Sequence, residues 1–212
     1  MTTDDAETWQ LIYAQRRATA DMLSQLSPEQ CAQPSLCAGW TVHQAAGHIL
    51  QSAEQTTGAF MKGMVVNGFR FNTMIDKSTK KLGALPMPEI VARIRARLNT
   101  TNRAPAPVVT MLGEVVTHTG DIVTPLGIDI AIDPAALVAC LDCYKVTAFP
   151  VGTKKRIAGL RLAATDVDWS YGDGPEVSGP GLSLLLAMTG RKGGLARLEG
   201  PGLATLAARM PA

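Results

Sequence analysis

Between Pro107 and Gly127 the chain reads as one helix with two unlike sides. Met111, Leu112, Val115 and Ile122 fall on one arc at helical spacing, and Thr110, Glu114, Thr117, His118 and Asp121 form a polar strip beside them. A helix with such an arc is stable only when the arc is covered, so the segment predicts a helical bundle. Further helices supply the cover. Ala6 to Leu26 repeats Trp9, Ile12, Tyr13, Ala20 and Leu23 at helical spacing, and Ser27-Pro28 ends it before a loop holding Cys31, Pro34 and Cys37. Thr41 with Gln44 three places on is a capping box that starts a second helix, expected to run to about Met64. A third fits Pro88 to Leu98, and a fifth opens at Asp133-Pro134 and extends to about Val146.

After Pro150 the texture changes. Arg156–Ala164 and Val167–Tyr171 read as strands, Gly172 to Gly181 as a turn-rich connection, and Leu182–Met188 and Gly202–Arg209 as short helices. The expected fold class is therefore α+β but mainly α. A helical bundle occupies residues 1–147 and a small α/β domain residues 148–212.

Composition excludes several roles. The chain is 212 residues long, with 46% hydrophobic and 18% charged residues, enough to bury a core and too apolar for disorder. Twenty basic against 18 acidic residues leave no electrostatic footprint for nucleic acid. The longest apolar runs, Leu182–Met188 and Val108–Val116, fall short of the ~20 residues a membrane helix needs. The acidic start at Asp4, Asp5 and Glu7 is unlike a signal peptide, and four cysteines without export signals suit reduced thiols in the cytoplasm.

Three histidines are present, His43, His48 and His118. Glu114 and His118 are four apart, so one helix face presents both to a single ion, with Asp121 three further on. His48 sits in a comparable strip with Gln44, Gln51 and Gln55, whereas His43 faces the other way, as a surface residue or a neighbour of the cap. Two histidines and a glutamate give three protein ligands and an open fourth position, the count of a catalytic rather than a structural zinc. The plain alternative is that both strips are solvated helix faces. Cys140 and Cys143 form a C-x-x-C inside a helix, which reads as small buried side chains, not a redox pair. Pairing them with Cys31 and Cys37 around zinc requires a poor C-x5-C spacing.

Three blocks then resemble the mycothiol-dependent maleylpyruvate isomerase family, whose N-terminal domain is a DinB-like metal-binding bundle. They are Pro34-Ser35-Leu36-Cys37-Ala38-Gly39-Trp40-Thr41-Val42 running into Gly47-His48-Ile49, Gly113-Glu114 through His118-Thr119-Gly120-Asp121, and a C-terminal block. The last comprises Gly159-Leu160-Arg161-Leu162, Thr165-Asp166-Val167-Asp168-Trp169, Val177-Ser178-Gly179-Pro180 and Thr189-Gly190-Arg191. The resemblance implies a zinc or other divalent ion held by His48, Glu114 and His118, with mycothiol as thiol cosubstrate and a small electrophile as substrate. It implies either isomerisation or S-transfer, since such a metal favours the reactive thiolate. Asp121 is expected to orient a ligand, Arg191 to grip the substrate, and Trp40 to pack at the start of the second helix. A non-catalytic metal- or ligand-binding module on the same bundle is the competing expectation.

Overall fold

The computed structural model describes residues 5–148 and 151–211. The chain divides into two compact units, Met1–Ala131 and Ile132–Ala212. Among the described residues the first carries seven helices: α1 (Asp5–Leu23), α2 (Pro28–Ala32), α3 (Val42–Glu54), α4 (Thr57–Val66), α5 (Phe71–Leu82), α6 (Met87–Arg95) and α7 (Val108–Leu126). Helix α7 is its centre, with Met111, Leu112, Val115, Val116, Ile122 and Val123 all buried, and it packs on α1 and α3. Gly127 ends it in the left-handed conformation at φ 64°, and the Ile128 amide closes the turn on the Val123 carbonyl at 3.0 Å. Two polar ties cross this core. Thr19 and Thr119 hydroxyls meet at 2.8 Å between α1 and α7, and buried Arg16 donates through Nη1 to the Arg97 and Thr100 carbonyls, both at 3.1 Å.

The structure corrects three expectations in this unit. The loop after Ser27 contains the short helix α2, because Ser27 and Gln30 form a capping box of their own. The helix expected to run from Thr41 to Met64 is two, α3 and α4, broken at Gln55 and Thr56, where the Thr56 hydroxyl accepts from the Ala59 amide at 3.1 Å and starts a new helix. Helix α5 was not anticipated. Phe71, Met74, Ile75 and Leu82 recur at helical spacing along it, although Met74 and Thr79 are its only buried side chains.

The second unit comprises α8 (Pro134–Lys145), α9 (Thr153–Arg156), β1 (Arg161–Ala164), β2 (Ser170–Tyr171), β3 (Glu176–Gly179), α10 (Gly181–Met188), a 3₁₀ turn at Lys192–Arg197 and α11 (Leu203–Ala208). The sheet order is β2-β1-β3, with β1 antiparallel to β2 (Leu162 opposite Tyr171) and parallel to β3 (Leu162 opposite Val177). Strand β3 lies inside the stretch read as a turn-rich connection, and the expected first strand is shorter than read, with Arg156 ending α9 and β1 starting only at Arg161. The helix read as the last of the bundle, α8, packs on α10 instead, and Asp142 accepts from Trp169 Nε1 at 3.0 Å. Cys140 is buried in mid-helix and Cys143 partly so, both unbridged, as their spacing suggests.

Candidate metal centre

The Thr41–Gln44 capping box forms as expected and fixes the start of α3, which turns His48 inward, one residue past Gly47. There α3 crosses α5 so closely that a Cβ on Gly47 would stand 2.5 Å from the Gly83 amide nitrogen. The crossing delivers Thr79 to the far side of the His48 ring. His48 Nδ1 lies 3.1 Å from Gln51 Oε1 and 3.2 Å from Thr79 Oγ1, and the threonine hydroxyl itself donates to Gln51 Oε1 at 3.3 Å. With Nδ1–H donated to that oxygen, Nε2 is left to face α7, 3.2 Å from Glu114 Oε2.

Helix α7 presents the matching half. His118 Nδ1–H donates to Asp121 Oδ2 at 2.9 Å, and its Nε2 points back to Glu114 Oε2 at 3.6 Å. The two imidazoles meet edge to face with centroids 4.4 Å apart, and Trp40 packs against the His48 ring at 5.0 Å. Trp40 thus sits where its place before the cap suggests, and it also walls the site. His43 lies apart, its Nε2–H donating to the Leu85 carbonyl at 2.7 Å.

The donor set fits a divalent ion. His48, Glu114 and His118 each offer a ligand atom within 4.8 Å of the others. Donors about 2.0–2.1 Å from a tetrahedral ion stand roughly 3.3 Å apart, and the observed 3.2 and 3.6 Å bracket that spacing. Each imidazole also has its second nitrogen fixed by an oxygen acceptor, the arrangement that orients metal-ligating histidines. The two histidine side chains are almost enclosed, whereas the Glu114 side chain keeps 34% of its surface exposed.

Electrostatics couple the set. Burial alone would push the Glu114 carboxyl up, but hydrogen bonds from His118 and His48 and their charges draw it far below the usual carboxylate range. Burial likewise disfavours a charged His118, yet hydrogen bonds to Asp121, Cys37 and Glu114 outweigh it and hold the pKa well above the ordinary histidine value. A raised histidine pKa favours the metal-free fold at low pH, and that contribution fades as pH rises through the folded-state value. An ion taking Nε2 must expel the extra proton. Metal uptake near neutral pH should therefore release about one proton and weaken about tenfold per unit of acidification. Calorimetry in buffers of different ionisation enthalpy reads this directly, and uptake without proton release would contradict it.

Besides Thr79, a second residue of the site, Cys37, escaped the sequence. Cys37 Sγ donates to Asp121 Oδ2 at 3.0 Å and lies 3.5 Å from His118 Nδ1. Sequence spacing placed it only in a loop, because nothing local says that the loop folds against α7. Arg191 belongs to the second unit. Its Nη1 donates to the Thr189 carbonyl at 3.1 Å, and its charge bears on Arg156.

Residues 12–108 match the family model of the mycothiol maleylpyruvate isomerase N-terminal domain. Most of the helical unit is thus similar to that domain. The match takes in Cys37, Trp40 and His48 and stops at the first residue of α7, so Glu114, His118 and Asp121 join the site through the geometry just described. A solved crystal structure of the mycothiol-dependent maleylpyruvate isomerase, and one of a histidine-to-alanine mutant of it, each share the fold. Each superposes with a TM-score of 0.62 over 94% of this chain and 93% of its own, at 14% identity. No curated protein matches the sequence.

Proposed function

We propose that the protein is a divalent-metal-dependent enzyme, with zinc the metal, that uses mycothiol to act on a small electrophile. The observation that carries this reading is the convergence of two imidazole Nε2 atoms on one carboxylate, each ring held by an oxygen at Nδ1. His48, Glu114 and His118 hold the ion in this reading. When bound, it supplies Lewis acidity that favours the thiolate of an added thiol at neutral pH. Asp121 holds the Nδ1 proton of His118 so that Nε2 stays available. Trp40 shields the His48 ring from water on one side.

The chemistry on the substrate follows from a sulfur nucleophile. The thiol sulfur adds to a double bond conjugated to a carbonyl, the new single bond rotates, and elimination returns the thiol and the isomer. Addition or displacement without elimination gives an S-conjugate. A substrate of this class carries a carboxylate or carbonyl, which a guanidinium grips with parallel hydrogen bonds, and we assign that role to Arg191. Such an enzyme belongs in the cytoplasm, where low-molecular-weight thiols stay reduced, and no helix among the described residues is long and apolar enough to cross a membrane.

The test couples metal analysis to turnover. Purified protein should carry about one divalent ion and, with mycothiol present, either isomerise maleylpyruvate while the thiol is returned or consume the thiol in S-transfer to 1-chloro-2,4-dinitrobenzene. Chelation should abolish the rate and zinc restore it. Arg191→Lys should raise KM for an anionic substrate and leave metal content unchanged. Bound metal without any thiol-dependent rate would instead mark a non-catalytic module.

A further inference from the structure

We propose that Cys37 is a positioning residue for the metal centre: its thiol, through Asp121, locks the ring of His118. This rests on the reading of His48, Glu114 and His118 as the metal set. Among the described residues Cys37, His118 and Asp121 form a second cluster that shares His118 with the first, but the spacings within the two differ in kind. Around Glu114 the contacts are 3.2 and 3.6 Å, the separation of donors about an ion. On Asp121 Oδ2 they are 2.9 Å from His118 Nδ1 and 3.0 Å from Cys37 Sγ, which are hydrogen-bond lengths. The first cluster is a cage and the second a clamp.

The clamp is built by the backbone. The Leu36 amide donates to the Asp121 carbonyl at 3.0 Å, pinning the loop to α7 at the residue whose side chain Cys37 holds. The Ser35 hydroxyl accepts from the Cys37 amide at 3.2 Å and donates to the Trp40 carbonyl at 2.9 Å, while the Trp40 amide returns to the Cys37 carbonyl at 3.0 Å. Cys37 is therefore set between the start of α3, which carries His48, and the middle of α7, which carries His118. Asp121 is fully buried, and a buried carboxylate is held in one orientation only if donors converge on it. The imidazole N–H sets one contact to the carboxylate, and a second donor on the same oxygen from a different chain segment adds a restraint on its orientation and so on the tilt of the His118 ring.

An outer partner of a metal ligand is worth about 10–100-fold in metal affinity. Cys37 acts at one further remove through a weak S–H donor, so the lower end, about tenfold, is expected. Zinc affinity of the full, metal-stripped chain is measured by chelator competition for wild type, Cys37→Val, Cys37→Ser, Asp121→Asn and the Cys37→Val/Asp121→Asn double variant. Metal-free melting temperatures report the fold. Cys37→Val keeps the shape without the donor and should bind zinc about tenfold more weakly, whereas Cys37→Ser keeps a donor and should stay within about threefold of wild type. On the Asp121→Asn background Cys37→Val should cost nothing further, because the two act as one unit.

Equal binding by Cys37→Val and wild type overturns the proposal. So does an equal loss in Cys37→Ser, which would make the role one of sulfur or packing, and so does a full loss on the Asp121→Asn background. If Cys37→Val lowers the metal-free melting temperature, Cys37→Ala takes its place and the same cycle decides. A wild-type chain that takes up no zinc removes the metal reading and this one with it, an outcome distinct from a wild type that binds and a variant that binds equally.

Discussion

His118→Ala should leave the protein almost without metal under conditions in which the wild type holds one ion per chain. The side chain does two things at once. Its Nε2 is one of three donors around the Glu114 carboxylate, and its Nδ1 proton occupies the buried Asp121 carboxylate at 2.9 Å. Removing it leaves a glutamate and one histidine for the ion, and metal ions are held far more weakly by two protein ligands than by three. The loss should exceed the roughly 10–100-fold that an outer partner costs. Deleting the ring also strands Asp121 with one side-chain donor fewer, so some loss of metal-free stability accompanies the change. His43→Ala separates the effects of a histidine in general from those of this one, since His43 binds the Leu85 carbonyl outside the set. Metal per chain after gel filtration is the measurement, with His43→Ala retaining wild-type content. Undiminished metal in His118→Ala would reject the ligand assignment.

How far the site could be read in advance depended on whether its residues share a helix. Glu114, His118 and Asp121 lie within two turns of α7, so their common face follows from helical periodicity alone. That His48 joins them requires α3 to pack on α7, which the apolar pattern supports only in general terms and the family resemblance supplied in particular. Cys37 and Thr79 were out of reach because nothing local in the sequence says which helix the loop of Cys37 or the face of α5 bearing Thr79 packs against. Cys37 stands in a loop held by Ser35 and Leu36, and Thr79 stands on a helix that buries two side chains. The Gln55–Thr56 break was missed for a similar reason. Apolar residues run on through Phe60, Met61 and Met64, and only a capping threonine interrupts them, with neither proline nor glycine at the break itself. In the second unit β3 lay hidden beneath Gly174, Pro175, Gly179 and Pro180, which punctuate its ends rather than exclude it.

Gly47→Ala should be among the most damaging single-methyl additions to the helical unit, and it should reach the metal centre without touching a ligand. A Cβ at Gly47 would lie 2.5 Å from the Gly83 nitrogen, 2.7 Å from its Cα and 3.0 Å from the Leu82 carbonyl carbon. All three are backbone atoms, so no side chain can rotate away. The crossing is tight from the other side too, where a Cβ on Gly83 would meet Gln44 Cα at 3.0 Å. Helices α3 and α5 must then separate, at the upper end of the overpacking range or about 2–3 kcal/mol. For a chain of this size that is a fall of roughly 5–10 °C in melting temperature. Helix α5 carries Thr79, which stands 3.2 Å from His48 Nδ1, so the separation also loosens the ring of a metal-set histidine. Zinc affinity should therefore fall about tenfold, the lower range for an outer partner. Gly58→Ala provides the control, because a Cβ there meets nothing within 4 Å, and alanine is the better helix former. It should melt at or slightly above the wild-type temperature with zinc affinity unchanged. If Gly47→Ala melts like the wild type, the α3–α5 crossing has room that the backbone distances deny. If it is destabilised but binds zinc normally, Thr79 is not what orients His48.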